Sequence, residues 1–160
     1  MVDRTFAESG LVLLALERPL PGSAQLTIAA RDPFAGSPGF VVDFAASTDA
    51  APQWPMLHAG FFAAGSAGAG ATRALGIATS AGSAGAAVFD AGGRWVGITL
   101  ASALADSSGN RWLPLSQLRA WLGDVLPAPL ASDGAAPARI GADEAYERSL
   151  AVVLQVLVEP

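Results

Sequence analysis

The chain has 160 residues, 52% hydrophobic and 14% charged, with a formal net charge of −5; this suits one domain with a real core and excludes a disordered chain. Its nine basic residues are all arginine, against fourteen acidic ones, which excludes a polybasic surface for nucleic acid or an anionic membrane. Without cysteine and with a single histidine there is no structural zinc site, which takes about four Cys or His ligands; neither metal nor cofactor is expected.

Residues Met1–Gly10 carry Asp3, Arg4 and Glu8 and no apolar run, unlike a signal peptide. The expectation is therefore a soluble chain, cytoplasmic by default. Short apolar runs follow at Leu11–Leu16, Gln25–Ala30, Gly39–Phe44, His58–Phe62, Ala74–Thr79, Ala87–Phe89 and Trp95–Leu100. Val, Ile, Phe, Trp and Thr recur in them, and most have the length of a strand. Turn residues lie between, at Pro21-Gly22, Ser37-Pro38-Gly39, Ala91-Gly92-Gly93 and Ser107–Asn110. This alternation predicts an antiparallel barrel or sandwich. Gly60–Ala71 is a low-complexity loop without the Gly-Lys-Ser/Thr of a phosphate-binding loop.

Two hairpins are predicted: Val88–Asp90 with Trp95–Ile98 around Ala91–Arg94, and Thr99–Leu104 with Trp112–Leu115 around the Ser/Gly/Asn turn. A helix follows, with Ser116 as N-cap, Leu118, Trp121 and Leu122 on one face, and Gly123 as its stop. The organisation expected is a barrel over 1–126, a Pro/Ala/Gly linker over 127–141, and a terminal piece over 142–160 with a helix at 143–150 capped by Asp143 and a strand at 151–158. An unpaired strand there needs a sheet, on the barrel or on a partner chain.

Gly82-Ser83-Ala84-Gly85-Ala86-Ala87-Val88-Phe89-Asp90, followed by Gly93-Arg94-Trp95-Val96-Gly97-Ile98-Thr99, resembles the nucleophile region of trypsin-like serine peptidases, most nearly the bacterial branch with the HtrA proteases. Ser108–Leu115 is similar to that family's next strand, and Leu11–Pro21 to the strand after its catalytic Asp. The resemblance spans about residues 8–123 and matches the second barrel of the two-barrel fold. It implies a mainly β, six-stranded antiparallel Greek-key barrel followed by a short helix. It also implies an oxyanion pocket made by the backbone N–H groups of Gly82 and Ala84, with Ser83 and Gly85 keeping the turn small. The terminal piece 142–160 is similar to the helix and strand that open the family's first barrel; a plain helix and strand covering a sheet edge reads equally well.

The departures decide the expected function. The nucleophile position holds Ala84, whose methyl group cannot attack a carbonyl. The motif's second Gly is Ala86 and its usual Pro is Ala87. His58 lies 26 residues before Ala84, inside the second barrel, and does not match the family's base; it reads as a packed or partly exposed histidine. Ser80 and Ser83 are the nearby hydroxyls, displaced from the nucleophile position and with no base in evident reach. The expected function is a catalytically inactive peptidase-type domain that binds a protein or peptide or serves in assembly. The partner would be a protease-like chain, or a second copy joined through the C-terminal strand. The alternative is half of a serine endopeptidase whose His/Asp barrel lies on another chain. Trp54, Trp95, Trp112 and Trp121 read as core or groove residues. Asp90 and Arg94 read as an exposed turn pair worth roughly 0–1 kcal/mol, and Asp143-Glu144 as helix-start charges.

Overall fold

The computed structural model describes residues 2–6, 10–18, 26–44, 53–64, 72–80, 83–100, 110–126 and 138–157. Gly82 and the predicted features within 19–25, 65–71, 101–109 and 127–137 lie outside the described residues. The chain opens with β1 (Val2–Phe6) and β2 (Leu11–Leu14), paired antiparallel in a separate two-stranded ribbon. The sequence pattern predicts the second of these strands and not the first, because the polar Asp3-Arg4-Thr5 interrupts any apolar run. All but Phe6 of β1 is exposed.

Six strands then close a barrel: β3 (Pro38–Asp43), β4 (Met56–Phe62), β5 (Arg73–Gly76), β6 (Ala87–Asp90), β7 (Trp95–Thr99) and β8 (Arg111–Pro114). Their order around it is β3-β4-β5-β8-β7-β6, every pairing antiparallel. β3, β4 and β5 run as consecutive neighbours and β6 returns beside β3, which is the Greek-key arrangement. Closure leaves none of the barrel's strands with a free edge. Ile28 adds a parallel bridge at Trp95.

The period of two along each strand puts Gly39, Val41 and Asp43 of β3 on one face, and His58, Gly60 and Phe62 of β4 on one face. Val41 and Phe62 belong to the core, with Ala29, Leu75, Ile77, Ala86, Val88, Val96 and Trp112. These faces are therefore the interior. The rings of Phe62 and Trp112 meet at 5.0 Å and a 50° tilt, a favourable aromatic geometry. Trp112 crowds β7: a Cβ on Gly97 would stand 2.2 Å from the Leu113 carbonyl oxygen and 2.8 Å from the indole. Glycine is the residue that lets these strands approach.

Helix α1 (Leu115–Leu122) packs on β7 and β8 and ends at Gly123, before a single 3-10 turn over Gly123–Val125. Its N-cap is Pro114, not the predicted Ser116. Strand β8 runs directly into the helix, so the cap residue carries no side-chain acceptor. Asp32 supplies one from 84 residues away, accepting from the Ser116 N–H at 3.1 Å and the Ser116 hydroxyl at 2.6 Å. Arg73 pairs with the same carboxylate at 2.9 Å.

Helix α2 (Ala142–Leu150) lies against β3 and β4 and buries the small side chains Ala145 and Ser149. Gly141 is its N-cap, and Asp143 sits inside the first turn with Glu144, where negative charge suits the helix dipole. The Tyr146 hydroxyl donates to the Pro55 carbonyl at 3.0 Å, and the Ile140 N–H to the Ala91 carbonyl at 2.9 Å. The strand predicted over 151–158 is not formed in its described part: 151–152 is a turn and 153–157 pairs with no strand. The N–H groups of Val152 and Val153 both go back to the Ser149 carbonyl, so the helix end curls the chain away from a ladder, leaving Leu154, Val156 and Leu157 exposed. Among the described residues no helix is long and apolar enough to cross a membrane.

Candidate functional site

Residues 83–86 form a tight turn that leads directly into β6. The Ala86 N–H donates to the Ser83 carbonyl at 3.2 Å, and Gly85 takes φ +83°, a left-handed third position that favours glycine. The buried Thr99 at the end of β7 holds this turn. Its hydroxyl donates to the Ser83 carbonyl and accepts the Ala86 N–H at 3.0 Å; its carbonyl accepts the Gly85 N–H at 3.0 Å; its own N–H donates to the Ala86 carbonyl at 2.9 Å. Ala84 and Gly85 form the exposed apex, and Ser83 is half-buried. Among the described residues the Ala84 N–H has no acceptor. Gly82, the other donor implied for an oxyanion pocket, lies outside the described residues.

Beside this turn stands a cluster that sequence reasoning did not assemble. Val41 pairs with His58 and Asp43 with Met56, so Asp43 and His58 are diagonal neighbours on the inward face. The Asp43 side chain is 0% exposed, and His58 Nε2 lies 3.1 Å from Asp43 Oδ1. The Ser80 N–H reaches Asp43 Oδ2 at 2.8 Å, and the Ser80 hydroxyl reaches Asp43 Oδ1 at 3.1 Å. The Ser80 carbonyl in turn accepts the Ser83 N–H at 3.2 Å.

A base does therefore stand near Ser80: His58 Nε2 is 3.5 Å from its hydroxyl. The arrangement is not a relay. In a Ser–His–Asp triad the acid and the serine occupy different ring nitrogens; here both face Nε2. The contact with Asp43 requires the proton on Nε2, which leaves that nitrogen no lone pair to receive one from Ser80. The serine hydroxyl donates to the carboxylate instead. The cluster satisfies a buried charge with three donors, as such a charge requires. Its sequence signal was Asp43 itself, a charge on the inward side of an apolar strand.

The remaining expected residues separate. Trp112 is buried in the barrel, Trp95 and Trp121 are half-buried, and Trp54 is 82% exposed, so it is no core residue. Asp90 is buried rather than exposed. It accepts from the N–H groups of Gly92 and Arg94 at 2.9 and 3.0 Å and from Arg94 Nε and Nη2 at 2.8 and 2.5 Å. A hollow of about 450 Å³ between α2 and the barrel, lined by Leu26, Phe89, Ala145, Arg148 and Val152 among others, includes neither the turn nor the Asp43 cluster. Among the described residues no three His, Cys, Asp or Glu side chains gather as a metal site. The chain matches no protein-family model, no curated protein and no solved structure.

Proposed function

We propose that this chain is a catalytically inactive barrel of the trypsin-like serine peptidase type, which binds a protein or peptide at the turn entering β6. The observation that carries the reading is the exposed apex of that turn, Ala84–Gly85. Its backbone is firmly held and its Ala84 N–H is unengaged among the described residues, while the residue in the nucleophile position has only a methyl group. Ser80 is no substitute, because its hydroxyl is committed to Asp43. Small side chains at the apex let another chain approach the backbone closely. With no free edge on the barrel, recognition here uses turn backbone and side chains rather than an added strand.

The test has two parts. A fluorophosphonate probe and a broad panel of peptide substrates should give no label and no turnover, for the native chain and for Ala84→Ser alike. A peptide selected from a random display library against the native chain should lose binding by about tenfold or more in Ala84→Arg, a change equal to about 1.4 kcal/mol. Labelling at Ser80 or Ser83 would overturn the reading. Proteolysis restored by Ala84→Ser, alone or with a barrel-bearing partner, would replace it with the half of a serine endopeptidase.

A further inference from the structure

The turn at 83–86 is held from two directions. From one side Thr99 holds the Ser83 carbonyl and the Gly85 and Ala86 N–H groups. At its near end the anchor is Asp43: the carboxylate holds Ser80 by both its N–H and its hydroxyl, and the Ser80 carbonyl holds the Ser83 N–H. Hydrogen bonds to an ionised acceptor are about twice as strong as neutral ones. With the Asp43 side chain 0% exposed, water cannot replace a lost donor, so any shift of Ser80 leaves a buried charge short of a partner. His58 donates to the same Oδ1 and is 21% exposed, which makes it the solvent-facing side of the lock.

We propose that Asp43 and His58 are positioning residues that set the orientation of the Ala84–Gly85 apex by fixing Ser80, an inference that rests on reading the apex as the binding surface. The turn is anchored to the barrel interior by a buried charge that never meets the partner. His58 acts through its single N–H, so a side chain that offers an N–H in the same place should serve.

Hydrogen exchange on the full chain tests the lock without any ligand. Asp43→Asn and His58→Ala should raise exchange at the Gly85 and Ala86 amides by about tenfold through local opening, while the Val41 and Val88 amides keep their native rates. His58→Gln should restore the native pattern. Ser80→Ala, which removes only the hydroxyl, is the milder variant should Asp43→Asn fail to fold, and it should raise the same two amides. Unchanged exchange at Gly85 and Ala86 in folded His58→Ala and Ser80→Ala would overturn the proposal. So would a rise spread evenly over β3 and β6, the mark of a general loss of stability. If a display-selected peptide exists, its affinity should fall in His58→Ala and return in His58→Gln. If no peptide is found, the binding reading fails while the exchange data still judge the lock.

Discussion

Two carboxylates, Asp90 and Asp43, are both buried in this barrel, and they solve the problem of a buried charge in opposite ways. Asp90 gathers four N–H groups from Gly92 and Arg94, all within four residues. Asp43 takes its three from His58 and Ser80, 15 and 37 residues away. The first network can form with the β6–β7 hairpin alone, because the loop to be closed is short. The second exists only once β3 and β4 are in register and the chain beyond β5 has come back over them. Asp90 therefore stabilises a local turn with a guanidinium as counter-charge. Asp43 joins three separate segments, and its effect reaches the exposed apex at Ala84.

This contrast can be broken by substitution. The largest effect is expected at Asp90→Ala, which strips a partly buried guanidinium of its partner and leaves the hairpin turn without its acceptor. A loss of about 3 kcal/mol should appear in urea denaturation. Arg94→Lys should lose about 1 kcal/mol, since an ammonium cannot reproduce the planar Nε and Nη2 pair on Asp90 Oδ2. His58→Gln should stay within about 0.5 kcal/mol of the native chain, because one N–H to Asp43 is all that the imidazole supplies. If His58→Gln proves more damaging than Arg94→Lys, the imidazole has a role that a single donor does not describe, and the distinction between a local charge pair and a long-range donor clamp fails.

The barrel was largely legible in the sequence. The apolar runs at 39–44, 58–62, 74–79, 87–89 and 95–100 overlap β3 to β7, and the hairpin of Val88–Asp90 with Trp95–Ile98 occurs, because alternation and turn residues act over a few positions. Of the hairpin predicted from Thr99–Leu104 and Trp112–Leu115, Thr99 pairs with Trp112 as the last residue of β7, while 101–104 lie outside the described residues. Gly123 ends α1 as its position after the last apolar residue implied. What failed were the features whose partners are remote. Ser116 has the chemistry of a helix cap, yet the acceptor comes from Asp32. The β-branched 152–158 run favours a strand, yet the barrel is closed by its six strands and the described part pairs with none of them. Asp90 and Arg94 pair as their spacing implies, but Asp90 is buried, since spacing along a chain says nothing of how much protein lies over a turn.

Sequence alone determined the runs that become strands, the glycine-rich bend before β6 and the absence of a hydroxyl at Ala84, all of them properties of adjacent residues. Tertiary structure alone decided that an aspartate at the end of β3 would be sealed from water and would meet the chain's one histidine and Ser80. The reason is that strand register and barrel closure are collective: each is fixed by packing across the whole interior, and only then do His58 and Ser80, 15 and 37 residues beyond Asp43, share its one carboxylate.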